Sequence, residues 1–166
     1  MNIKRYNFYD TDITGNDEYD ICDQEYKELI KICCKYSSYM SLIITNRNSS
    51  LLNKIRKYQI EKNENINYEF DHYNKNSIVI RYYKICPQLC EILLNETNSI
   101  NSWINGWGFT NPEDPTFYRE DGTVFFTSTI HEGVYSLFVR DNENLENILS
   151  SDLWIELEKD VRFPFV

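Results

Sequence analysis

Alanine is absent from this chain of 166 residues, and glycine and proline are scarce, at five and four. So few Gly and Pro exclude long flexible linkers and a collagen-like repeat. No stretch approaches the roughly 18 apolar residues of a membrane-spanning helix. The opening run, Met1 to Asn7, has no apolar segment behind its charges, so no signal peptide is expected and the expected location is the cytoplasm. Gly-x-Gly-x-x-Gly, the Walker phosphate loop and Gly-x-Ser-x-Gly are all missing. Gly106-Trp107-Gly108 is too short to cradle a phosphate and follows a helical pattern, where a nucleotide loop would precede one. The chain has only two histidines, and their spacing to cysteines or carboxylates supports no metal site. No cofactor and no metal are therefore expected. The missing alanine, beside nineteen Asn and nineteen Ile, is the mark of an AT-rich, bacterial coding sequence and carries no function.

What is present is a globular composition, 42% hydrophobic and 26% charged. The length suits one domain, and such a chain buries about two thirds of its unfolded surface, enough to fold without a disulfide or metal. Five cysteines occur. Cys33 and Cys34 are adjacent, and Cys86 and Cys90 are four apart, which matches neither a zinc ribbon nor a thioredoxin motif. Reduced cysteines packed in the core are expected.

The formal charge is −9, which disfavours sequence-independent binding to phosphate backbones. Residues 27–84 nevertheless hold eleven Lys/Arg against five acids. The acidic excess sits at the ends, −5 over residues 1–26 and −10 over residues 85–166. If those ends meet in the fold, one face carries a negative potential that would speed association with a basic partner.

Residues 1–22 read as an acidic irregular arm or a short strand at Ile3–Phe8. Asp10-Thr11-Asp12-Ile13-Thr14-Gly15 mimics the start of a calcium loop, but the twelfth position is Ile21 where a bidentate Glu is needed, so a solvated arm is favoured. Tyr26, Leu29, Ile30 and Cys33 recur at helical spacing and predict a helix over 23–36. A short buried strand follows at 39–45, then a helix capped by Ser49 or Ser50. Residues 67–72 and 77–85 read as a hairpin. Pro87 suits a first helical position, and its helix runs toward Ile104 with an interruption at 95–99.

Asp121-Gly122 favours a type I′ turn, and Glu132-Gly133 marks a second tight turn. A Pro-rich loop from Trp107 should therefore lead into an antiparallel meander of strands at 116–119, 123–130 and 134–140. A short helix at 142–149 and a final strand at 153–157, with a helix as the other reading, complete a single α+β domain over 1–166. The expected architecture is a mostly antiparallel sheet with a C-terminal three-stranded meander and three to four helices.

His131-Glu132 resembles the opening of a zinc-protease motif, but position 135 is Tyr, and a strand would point the two side chains to opposite faces. The favoured reading makes Gly122, His131, Glu132 and Gly133 structural elements of the hairpin, with His131 bonded to backbone. The Cys86/Cys90 pair reads as core packing. Nine aromatics from Trp103 to Phe138 either fill a core covered on both faces or leave a patch exposed, and an aromatic patch rimmed by acids would bind protein. The candidate surface for that role is Trp107, Phe109, Glu143, Glu146 and Glu156.

The run Asn111-Pro-Glu-Asp-Pro-Thr-Phe-Tyr-Arg-Glu-Asp-Gly122, followed by Phe126-Thr-Ser-Thr-Ile-His-Glu132, resembles a hairpin segment in small uncharacterised proteins of Firmicutes. The similarity covers roughly residues 107–158, a third of the chain. It implies no enzymatic activity and implies that Gly122 and His131-Glu132 are hallmarks of the hairpin. The expected function is a non-catalytic, acidic binding protein, specifically an immunity-type inhibitor of a basic bacterial toxin such as a nuclease. The other reading is a small hydrolase using His131 with a carboxylate from Glu113, Asp114 or Glu132. The expected partner is a basic protein, with neither nucleic acid nor membrane; the sequence leaves the oligomeric state open.

Overall fold

The computed structural model describes residues 3–8, 20–61, 79–106, 109–150 and 153–157. In chain order these form β1 (Ile3–Phe8), α1 (Asp23–Tyr36), β2 (Tyr39–Ile44), α2 (Ser50–Ile55), β3 (Gln59–Ile60), β4 (Val79–Lys84) and α3 (Pro87–Glu96). Then come β5 (Asn105–Gly106), β6 (Phe109–Thr110), β7 (Glu113–Tyr118), β8 (Val124–Thr129), β9 (Val134–Arg140), α4 (Glu146–Leu149) and β10 (Trp154–Leu157). Eight strands make one antiparallel sheet in the order β10-β1-β9-β8-β7-β2-β4-β3, and β5 and β6 form a separate small ribbon. The chain is an α+β protein with the C-terminal meander β7-β8-β9 inside its sheet.

The first strand is no loose arm. β1 lies between β9 and β10, pairing Ile3 with Arg140 and Phe8 with Trp154. The calcium-like run at 10–19 and the strand expected at 67–72 lie outside the described residues.

The main core lies between the sheet and the helices. Leu29, Ile30 and Cys33 of α1, Leu51 and Ile55 of α2, and Leu89 and Leu93 of α3 pack with Met40, Leu42, Tyr83, Phe117, Phe125 and Leu137 of the strands. Among the described residues, most of the aromatics of this region are covered. Phe117, Phe125, Phe126 and Trp103 are fully buried, and Tyr118 belongs to a second buried cluster with Tyr82 and Val124. Burying one such side chain contributes roughly 1.5–3 kcal/mol, so this row is a major source of stability.

Several polar groups inside the core are paired with one another. The Trp103 indole N–H donates to the Tyr26 hydroxyl at 2.7 Å, Tyr26 meets Thr97 Oγ1 at 2.5 Å, and Thr97 donates to the Leu93 carbonyl at 2.7 Å. Burial pushes the Tyr26 phenol far up, so it stays neutral at any pH the fold survives. Thr97 thereby helps to close α3 at Glu96, within the interruption expected at 95–99, and a single 3₁₀ turn at Ile100–Ser102 follows. Ser49 is the cap of α2, its hydroxyl accepting from the Leu52 N–H.

The turns differ in detail from expectation. Gly122 has φ of 81°, but Asp121 is not left-handed, so the turn is not type I′. Arg119 N–H donates to the Thr123 carbonyl and Gly122 N–H to the Arg119 carbonyl, a three-residue hairpin loop closed by a left-handed glycine. Glu113-Asp114-Pro115, expected in a loop, begins β7. The register of β7 against β2 shifts there, and this bulge is what admits a proline into an interior strand.

The cysteines depart from the reduced expectation. Cys34 of α1 and Cys90 of α3 are joined as a disulfide, with Cα atoms 6.2 Å apart, so Cys90 is a cross-link rather than mere core filling. The packing of α1 on α3 brings them together, a pairing that spacing along the chain does not reveal. Cys22, Cys33 and Cys86 remain as thiols.

Titration of the unreduced, denatured protein should therefore find three thiols, and five after reduction. Closing a loop across a separation of 56 residues should contribute about 4 kcal/mol by chain-entropy bookkeeping. The Cys34→Ser/Cys90→Ser pair should lower the urea midpoint accordingly. Five free thiols before reduction would remove the cross-link.

Candidate functional site

The two ends of the meander carry the chemistry. At one end the β7–β8 turn meets the exit of β9. Arg119 follows β7, and its side chain is buried, only 4% exposed. A buried guanidinium demands a counter-charge and acceptors for its donors. Glu143 supplies two oxygens, each 2.7 Å from an Arg119 nitrogen. The Val124 carbonyl accepts from the same guanidinium at 2.5 Å, and the Phe138 carbonyl accepts as well. Arg119 also lies 5.2 Å from the centre of the Phe125 ring, a cation–π contact. One side chain thus ties the end of β7 to β8 and β9. Glu143 in turn accepts from the Arg140 backbone N–H at 2.8 Å, fixing the turn out of β9.

Arg140 reaches across this end to Asp121, 2.5 Å away, and to Thr123 Oγ1 at 2.7 Å. Partial burial would raise the Asp121 carboxyl, but hydrogen bonds from Thr123 and Arg140 outweigh it and pull the pKa down to about 2. Asp121 therefore stays charged throughout the neutral and mildly acidic range.

Glu143 accordingly does not belong to an open binding surface, as the sequence suggested. Its side chain is 6% exposed, and its charge is spent on Arg119. Glu146, in contrast, is exposed on α4. Glu156 is exposed on β10 but engaged, 3.1 Å from Lys4 Nζ and 3.0 Å from the Tyr6 hydroxyl, which hold its carboxyl below the usual range. Trp107 lies outside the described residues, and of Phe109 only the backbone in β6 is described. Glu120 and Asp141, which the pattern did not single out, are exposed beside Asp121 and Arg140. The signal that could have exposed this cluster is that Arg119 and Arg140 are the only Lys or Arg residues between 85 and 158.

At the other end of the meander, β8 runs into a 3₁₀ turn at Ile130–Glu132, closed by Gly133 at φ 61°. His131 and Glu132 are therefore not on a strand, and both are exposed. His131 Nε2 stands 3.5 Å from Glu113 Oε2, a contact to a side chain and not the backbone bond expected of it. Thr45 Oγ1 donates to Glu113 at 3.3 Å. The Asp114 carboxylate accepts from the Ile130 N–H at 2.8 Å, with Asp114 itself left-handed at φ 50°. That conformation costs a non-glycine residue about 1–2 kcal/mol, least for Asp and Asn. The turn is thus pinned against the bulge of β7, which carries Glu113 under the imidazole. Gly122 and Gly133 both have positive φ, which glycine adopts freely.

Among the described residues, no group of three His, Cys, Asp or Glu could hold a metal ion, and no helix is long and apolar enough to cross a membrane. No protein-family model, no curated protein and no solved structure matches the chain.

Removing one partner of the buried pair leaves a buried charge uncompensated, so Arg119→Met or Glu143→Leu alone should cost about 3–5 kcal/mol. The double variant should cost clearly less than the sum of the two. Urea denaturation of the four proteins checks this; additive losses would mean the pair is not coupled.

Proposed function

We propose that this chain is a non-catalytic binding protein that presents an acidic end of its sheet to a basic protein partner. The specific form proposed is an immunity-type inhibitor of a basic bacterial toxin such as a nuclease. The supporting observation is how charge is used at the Arg119 end. Both arginines there are consumed within the molecule, Arg119 by Glu143 and Arg140 by Asp121. Glu120, Asp141 and Glu146 remain exposed, with no ion pair within 4.0 Å among the described residues. Exposed carboxylates without an ion pair of their own attract a cationic surface over a Debye length of about 8 Å at physiological ionic strength. The β1–β10 pairing places Glu156 on a strand adjoining β1, and β1 in turn pairs with β9, so the acidic C-terminal half and the N-terminus share one sheet.

Glu120→Lys/Asp141→Lys/Glu146→Lys should fold with stability changed by no more than about 0.5 kcal/mol per site, as surface substitutions usually are. It should lose salt-sensitive capture of a basic protein from the native host that the unaltered chain retains. Capture of the same partner by the reversed variant, at the same salt sensitivity, would refute the acidic-face reading.

One observation favours a second reading, a small hydrolase built on His131. Glu113 lies 3.5 Å from the imidazole and is itself held by Thr45, an arrangement in which a carboxylate can orient a general base. On this reading, His131→Ala and Glu113→Gln would each melt near the unaltered protein and lose a hydrolytic turnover. A turnover indifferent to both substitutions, or none at all across ester and phosphodiester substrates, discards it.

A further inference from the structure

Among the described residues of this acidic chain is a strongly basic recess. Arg47, Arg56 and Arg81 line a single cleft of about 470 Å³, together with Leu52, Asn53 and Gln59. The cleft sits where α2 overlies the β3 edge of the sheet. Arg47 comes from the turn before α2, and Arg56 and Gln59 from the chain running out of α2 into β3. Arg81 comes from β4, opposite Leu42 of β2. None of the three guanidinium groups has a carboxylate within 4.0 Å among the described residues, and no described acid lines the cleft. This differs sharply from Arg119 and Arg140, each of which is matched by its own carboxylate. It also gives a place in the fold to the basic middle of the chain, eleven Lys/Arg against five acids over residues 27–84, which the acidic face does not use.

Three like charges gathered in one recess repel one another, and a protein of net charge −9 has acids to spare for neutralising them. Three arginines gathered in one recess with no described acid beside them are what an anion site uses. Guanidinium stays charged at every relevant pH, and its planar fork matches phosphate oxygens in pairs. The Asn53 and Gln59 amides add neutral donors on the same wall. The volume lies in the range of small-molecule sites. We infer that the Arg47–Arg56–Arg81 cleft binds a small phosphorylated compound carrying two or more negative charges, a phosphate ester or a pyrophosphate.

Calorimetric titration of the full chain with inorganic pyrophosphate tests this. Saturable one-to-one binding is expected, weakened tenfold or more by Arg56→Gln and by Arg81→Gln, since each loses charge-assisted hydrogen bonds. Lys57→Gln removes an exposed neighbouring cation that does not line the cleft and should change affinity by less than about twofold. If Arg81→Gln fails to fold, the exposed Arg47→Gln and Arg56→Gln carry the test. No saturable heat, or an equal loss in Lys57→Gln, overturns the site. A single-stranded oligothymidylate that binds more tightly than pyrophosphate, through the same arginines, overturns the small-molecule assignment in favour of nucleic acid. Asp141→Lys should leave pyrophosphate binding intact, which separates this site from the acidic face.

Discussion

A guanidinium buried between the ends of neighbouring strands cannot be left without a carboxylate and several carbonyls around it. The Arg119 site meets that demand with Glu143, Val124 and Phe138, so the ends of β7, β8 and β9 are brought to one point. The turn of β7 into β8, the exit of β9 and the approach to α4 all inherit their geometry from it. Because Glu143 also holds the Arg140 backbone, and Arg140 holds Asp121, the ion pair propagates outward to the exposed acids. A pair of this kind gives little net stability over a well-packed apolar substitute, and its effect is to specify one arrangement.

The helix layer is organised on a different principle. There the constraint is covalent and hydrogen-bonded rather than ionic: the Cys34–Cys90 cross-link and the Tyr26–Thr97–Trp103 chain join α1 to α3 and to the segment after it. Both act on the same pair of helices. Among the described residues, α2 is tied to α3 by the Lys54–Glu96 ion pair and not by a disulfide, and Arg47, Arg56 and Arg81 gather on this side, at α2 and β3.

Local periodicity made the regular elements legible. The helix at Asp23–Tyr36 and the strand at Val134–Arg140 coincide with the expected bounds, because three- and four-residue spacing and two-residue alternation are written into neighbouring residues. Glu113-Asp114-Pro115 misled for a physical reason. Acids and proline usually mark loops, and only a bulge, with Asp114 left-handed, lets them enter an interior strand. The sites were harder. Glu143 was read as a surface acid because its partner lies 24 residues away on another strand end. His131 is expected to bond to backbone, and its actual neighbour Glu113 is reached only through the folded bulge. Pairings of this range, like the Cys34–Cys90 bond, leave no periodic trace.

The position of β1 bears on how the chain reaches its folded state. Its hydrogen-bond partners are residues 135–140 and 154–157, both more than a hundred residues away along the chain. At synthesis rates of about 5–20 residues per second, Ile3–Phe8 must wait on the order of ten seconds for a partner strand to exist. Until then β9 and β10 cannot be joined, and the sheet has open edges able to pair with other chains. So high a separation between contacting strands favours slow folding. The packing of α1 on α3, whose contacts are nearer in sequence, can form beforehand.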